Sequence, residues 1–182
     1  MNLRDLKDRP FELLRELERR GRAAVADAAD LPAGEEWIGI AFRVGPERFV
    51  VARDQVREVL PVPITLTRVP GARSWLRGIA SVRGHLLALT DLRALFGAGT
   101  ASKERQARVL VINHREVPAG LIVDEVLGFR RFLAAQFQPQ SPATLIRAGA
   151  FLAGAYRDAG ELWPVFDLHA LVEHEQFQQA AE

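Results

Sequence analysis

From Trp37 onward, glycine and proline cut the chain into short, β-favouring apolar segments, and this rhythm restricts the fold more than any other feature. WIGIAFRV at 37–44 is followed by Gly45-Pro46 and then by Arg48-Phe49-Val50-Val51-Ala52. VREVLPV, IASVRG and HLLALTDL come next, punctuated by Pro61, Pro63, Pro70, Gly71, Gly78 and Gly84. RVLVINH, VPAGLIV, EVLGFRRF, AFLAGAYRD and ELWPVFDL carry the pattern to residue 168. Short strands separated by turn signals every ~8–12 residues predict a barrel or sandwich, and helical patterns are too few to act as crossovers between parallel strands. The expected class is all-β with peripheral helices. Loops are expected at 97–106 and 136–149, and a helix from Asp167 to about Gln179, where Leu168, Leu171 and Val172 recur at helical spacing.

A second signal lies in self-similarity. Val56-Arg57-Glu58-Val59-Leu60 recurs as Val123-Asp124-Glu125-Val126-Leu127, and Asp91-Leu92-Arg93-Ala94-Leu95 recurs, in the same order, as Asp167-Leu168-His169-Ala170-Leu171. Leu86 and Leu162 keep step ahead of the aspartates. Such pairing predicts a duplication. Each half would be a small curled sheet that buries little alone, so two would pack over a shared core with a groove between them.

Ahead of the strands, Pro10 suits a helical first turn after Asp8, and Phe11, Leu13, Leu14 and Leu17 form an apolar stripe that stops at Gly21. Residues 1–35 therefore read as a helical leader with a linker containing Pro32 and Gly34, and 36–182 as the folded unit. The N-terminal residues lack the apolar core of a signal peptide, no window approaches a membrane-spanning length, and a cytoplasmic location is expected.

The chemistry-bearing residues do not assemble into a reaction site. With no cysteine in 182 residues, thiolate metal sites, thiol nucleophiles and disulfides are excluded. His85, His114, His169 and His174 complete no metal motif; His169 and His174, five apart on a helix, do not share a face. Phosphate-binding glycine loops and a nucleophile elbow are absent. Asp91 and Asp167 each precede Leu-x-x-Leu and are expected as helix N-caps, not as a carboxylate pair. A net charge of +1 gives no field toward polyanions. Arg68, Arg73, Arg77, Arg83 and Arg93 lack the interleaved aromatics of a single-strand-binding barrel. No catalytic residue, metal or cofactor is expected.

The segment from Trp37 to Phe96 resembles the CheW family. The residues that carry the resemblance are Val56-Arg57-Glu58-Val59, Val69-Pro70, Leu76-Arg77-Gly78-Ile79, Ser81-Val82-Arg83-Gly84 and the strand ending Asp91-Leu92-Arg93, with Val123–Val126 and Trp163–Leu171 following in the second half. The resemblance implies two tandem five-stranded SH3-like barrels and an adaptor without activity of its own. Its implied partners are the regulatory domain of a CheA-type histidine kinase and the cytoplasmic tip of a chemoreceptor, with ring-like assembly of homologous barrels a further implication. The leader Asp8-Arg9-Pro10-Phe11-Glu12-Leu13-Leu14 resembles that of CheW-like adaptors in pilus chemosensory systems, which control twitching motility; a flagellar-type adaptor is the alternative. By the same resemblance Glu58 and Arg83 pair beside the receptor groove. Val56, Val59, Val123 and Val126 would present apolar surface to a receptor helix, and Gly84 would permit the turn that Arg83 enters. Plain barrel core is the competing assignment for each valine.

Removal of residues 1–35 is expected to leave a single cooperative thermal unfolding transition, monitored by circular dichroism. Loss of cooperativity would make the leader part of the core.

Overall fold

Strand-forming residues dominate the computed structural model, which describes residues 35–99 and 105–180. The leader stripe and the middle of the 97–106 loop lie outside the described residues. The strands are β1 (Glu36–Val44), β2 (Glu47–Ala52), β3 (Val56–Pro61), β4 (Leu76–Val82), β5 (His85–Asp91), β6 (Arg108–Ile112), β7 (Ala119–Val123), β8 (Glu125–Leu133), β9 (Phe137–Gln138), β10 (Leu152–Asp158) and β11 (Glu161–Phe166). Short helices α1 (Leu92–Leu95), α2 (Leu168–Glu173) and α3 (Glu175–Gln178) follow β5 and β11. The expected 136–149 loop is not wholly irregular, since β9 pairs there with β10.

Two curled sheets result, one ordered β8-β1-β2-β11-β10-β9 and the other β3-β6-β7-β5-β4. Laid side by side, β8, β1, β2, β11 and β10 correspond to β3, β6, β7, β5 and β4. Even the lone parallel pairing recurs, β2 with β11 and β7 with β5. The duplication read from sequence is therefore present, but the halves are not consecutive. The opening hairpin β1–β2 completes the C-terminal sheet, because only there does its antiparallel partner β8 meet it.

The equivalence extends to backbone detail. Gly78 and Gly154 sit at matching bulges with φ of 142° and 144°. A Cβ on either would lie 2.5 Å from a carbonyl oxygen, Thr67 O or Gln138 O, so only glycine fits. The two-residue turns Arg83-Gly84 and Ala159-Gly160 both have positive φ at each centre, matching the right-handed twist of the flanking strands. Asp91 Oδ1 accepts from Arg93 N and Ala94 N at 3.1 and 3.2 Å, and Asp167 Oδ1 from His169 N and Ala170 N at 3.0 and 3.1 Å. Both aspartates are the expected caps.

Strand alternation explains three cores. Trp37, Ala41, Val50, Phe132, Tyr156 and Trp163 fill the barrel of the β1-containing sheet, while Leu87, Leu89, Val109, Val111 and Ile122 fill the other. The opposite faces, with Ile40, Phe42, Phe49, Val51, Leu110, Ile112, Leu121 and Phe166, meet between the sheets in the largest core. Strands buried on both faces read as continuous apolar runs, as β6 does. Tyr156 hydroxyl is buried without a hydrogen-bond partner, and burial pushes its phenol upward from the ordinary tyrosine range.

Each terminal helix crosses to the other sheet. Phe96, after α1, sits 5.9 Å from the Phe151 ring, and Phe177 of α3 stacks at 5.9 Å on Trp75. Trp75 and Phe151 occupy matching sites, since their carbonyls accept from Asp91 N and Asp167 N. The single helix expected over Asp167–Gln179 is broken at His174 (φ −72°, ψ 136°), whose Nδ1 accepts from Gln176 N. The break redirects Phe177 onto Trp75.

Gly78→Ala is expected to cost about 3 kcal/mol or more, because backbone strain and a carbonyl clash add. Gly160→Ala, where a Cβ meets nothing within 4 Å, should cost only about 1–2 kcal/mol. Urea denaturation of the two variants checks the difference.

Candidate partner-binding surface

Glu58 and Arg83 come together across a seam. β3 and β4 are the outer strands of their sheet, and curling brings β3 near the β4–β5 turn. Arg83 Nη2 lies 3.1 Å from Glu58 Oε2, with the arginine side chain 76% exposed and the glutamate 23%. Glu58 stands opposite Val111, on the face that lines the barrel core, so its carboxylate is held while the guanidinium remains available to solvent. Arg83 has φ of 49°, unusual for a side chain of this size, and Gly84 follows at 82°. The added Cβ on Gly84 would touch nothing, so glycine there serves the turn's dihedral angles and not close packing.

The four valines separate into two pairs. Val56 and Val123 belong to the core between the sheets and are 7% and 0% exposed, so they are not groove surface. Strand alternation accounts for this, because Val56 lies opposite Ile112 of β6, itself a member of that core. Val59, opposite Leu110, and Val126, opposite Phe42, are at matching positions on the edge strands β3 and β8. Val59 is exposed and Val126 half-buried. These two, with Glu58, Arg83 and Gly84, are what remains as candidate contact surface.

The most charged junction was not singled out from the sequence. Asp124, between β7 and β8, is wholly buried; its Oδ2 accepts from Gly45 N at 2.6 Å, and its carboxylate is 3.7 Å from Arg43 Nη1 and 3.5 Å from Arg93 Nη1. It thereby ties the β1–β2 turn of one sheet to α1 of the other. At the matching place after β2, Gln55 makes a neutral version: Nε2 donates to Asp167 Oδ1, and Oε1 accepts from Leu168 N, both at 2.9 Å. The available signal was a pair of carboxylates, Asp124-Glu125, interrupting an apolar run.

Histidines also group differently from their sequence spacing. His114 and His169 stand edge to face at 5.5 Å. His114 Nδ1 accepts from Glu116 N and Val117 N, leaving Nε2 toward Glu173 Oε1 at 3.6 Å, and His169 Nε2 donates to Asn113 O. This pins the β6–β7 connection onto α2. Among the described residues no group of histidine and carboxylate side chains is placed to hold a metal, and no helix is long and apolar enough to cross a membrane. The arrangement places charged and apolar side chains together on edge strands, beside the packed core between the sheets.

Comparison with known proteins gives consistent matches. The model of the CheW-like domain matches residues 39–176. Protein PilI of Pseudomonas aeruginosa is 40% identical over 176 residues, covering 94% of this chain and 96% of that protein. The chemotaxis protein CheW of Helicobacter pylori is 28% identical over 132 residues, 72% of this chain and 79% of its own. Among solved structures, scaffolding protein TtCheW from Thermoanaerobacter tengcongensis superposes with a TM-score of 0.67 at 25% identity, covering 78% of this chain and 91% of that one.

Buried and exposed ion pairs should respond differently to neutralisation. Asp124→Asn is expected to destabilise by about 3–5 kcal/mol, because two arginines lose a buried countercharge. Glu58→Gln should cost about 0–1 kcal/mol, since Arg83 is solvated. Thermal or urea unfolding of both variants measures the contrast.

Proposed function

This chain belongs to the CheW-like family, and from that membership we propose that it is a non-enzymatic signalling adaptor, coupling a methyl-accepting chemoreceptor to a CheA-type histidine kinase in a pilus chemosensory system. The observation that carries the pilus assignment is the extent of similarity to PilI. It covers 94% of the chain, whereas the domain match covers only residues 39–176, so it takes in most of the leader. Similarity to Helicobacter pylori CheW covers 72% of this chain. In this reading residues 1–35 are a leader and 36–182 the CheW-like domain.

The recognition chemistry follows from the edge strands. A receptor helix would lay apolar positions against Val59 and Val126, a helix-in-groove mode, while Glu58 fixes Arg83 at the rim to meet the helix's carboxylates. An exposed guanidinium braced by a half-buried carboxylate loses less side-chain freedom on binding than an unbraced one. The kinase regulatory domain would meet other barrel edges, and exposed edges would permit ring-like assembly with homologous barrels. Recruitment to the membrane would come through the receptor.

Arg83→Glu is expected to abolish pull-down of the receptor tip while thermal unfolding stays within a few degrees of the parent, because an exposed pair contributes little to stability. Calorimetric titration against the regulatory domains of the pilus-cluster and flagellar kinases of the same genome tests the pathway. Tighter binding to the pilus kinase supports the proposal. Preference for the flagellar kinase would make the chain a flagellar-type adaptor, and binding to neither would remove the kinase from the reading.

A further inference from the structure

Directly opposed residues of an antiparallel pair lie on the same face of a sheet. In the β1–β8 ladder the opposed pairs Glu36–Leu133, Ile38–Arg131, Ile40–Phe129 and Phe42–Val126 therefore form one continuous strip. Its inner end is covered, with Ile40 5% and Phe42 0% exposed against the core between the sheets. Its outer end is open: Ile38 is 39%, Leu133 46% and Phe129 68% exposed. β8 is also the outer strand of its sheet, so an apolar strip and an unpaired backbone edge coincide. Folded proteins ordinarily cover or blunt such an edge.

We propose that the chain covers this strip itself, the leader stripe Phe11, Leu13, Leu14 and Leu17 docking as a short amphipathic helix over Ile38, Phe129 and Leu133. The leader enters the described structure at the corner of the strip, where Glu35 O accepts from Ala134 N at 3.0 Å, next to Leu133. The dimensions agree. A helix over residues 10–20 is about 17 Å long, and the exposed strip from Leu133 to Phe129 runs about 13 Å along β8. The linker 21–34 spans up to about 45 Å when extended, more than enough for the chain to double back. Arg131 lies inside the strip, held by Glu36 Oε2 at 3.2 Å, and Glu16 and Glu18 of the leader offer it further carboxylates. A tether this short supplies the stripe at millimolar effective concentration, which favours it over a second molecule at the same patch. A helix that forms only when seated leaves the cooperative unit of the barrels unchanged. This inference stands independently of the adaptor reading.

The full chain contains no cysteine, so paired substitutions report proximity without background. Leu14→Cys with Phe129→Cys is compared with Leu14→Cys with Leu86→Cys, Leu86 being an equally open site (66% exposed) on the other sheet. At low micromolar protein under mild oxidation, mass spectrometry and non-reducing gels follow disulfide formation. The 14–129 pair should close intramolecularly at least about tenfold faster than the 14–86 pair, the ratio expected when docking raises local concentration over a free tether. Adding Leu13→Asp and Leu17→Asp should return it to the control rate. Equal rates for the two pairs, or no effect of the aspartates, would mean a tethered leader that does not dock. Disulfide-linked dimers through Phe129→Cys would assign the strip to a second copy. Either result overturns the proposal.

Discussion

Phe96 against Phe151 and Phe177 against Trp75 hold the molecule together at two equivalent places, and the rest of the architecture depends on this exchange. Each barrel has its own small interior, but the largest core lies between them and exists only while the sheets remain apposed. A sheet of this size buries too little to stand alone. By sending the segment that ends one sheet across to cover an aromatic of the other, the fold makes each lobe a condition of its neighbour's stability. The capping aspartates begin these crossings: Asp91 and Asp167 turn the chain from strand to helix at matching points, and their own N–H groups hold the carbonyls of Trp75 and Phe151.

Charge is divided along the same lines. Asp124 sits where the sheets meet, with Gly45 N, Arg43 and Arg93 around it, so one buried carboxylate ties both lobes together. Glu58 and Arg83 lie at the opposite extreme, on a seam open to water, and changing them alters what the surface offers without removing support from the core. The buried junction sets the relative position of the two barrels, and the exposed pair is free to change without disturbing it.

The sequence made the strand rhythm, the capping aspartates and the duplication legible because each is a local chemical preference repeated at fixed spacing. Gly45-Pro46 favours a turn, as found between β1 and β2, and an aspartate before Leu-x-x-Leu favours a helix cap, as found at Asp91 and Asp167. What it did not reveal is long-range. No spacing shows that β1 and β2 join β8 and β11, since that depends on which edge is vacant after folding. Val56 and Val59 lie opposite Ile112 and Leu110 on the same face, because a bulge between Val56 and Glu58 shifts the simple alternation, and they differ only in how far the other sheet covers each. His114 and His169 lie far apart in the chain and meet only because the β6–β7 connection reaches α2. The break at His174 brings Phe177 onto Trp75, a residue the terminal helix pattern does not contain.

Interleaved strand order also governs how the chain acquires its form as it is made. The β1–β2 hairpin is the first described part to leave the ribosome, yet Val50, already opposite Ala41, meets Val165 on its other side only after every strand of the second sheet has been synthesised. Between those moments β3–β7 emerge in full and can curl on themselves, since every strand of their sheet is contiguous in sequence. The nascent protein therefore passes through a stage in which all five strands of one sheet are present while the waiting β1–β2 hairpin lacks β8 and β11, and the core that takes Phe42, Phe49 and Val51 is still incomplete. A pause in translation ahead of β8 lengthens that interval, and the waiting hairpin is then the place where holding chaperones or neighbouring nascent chains would engage.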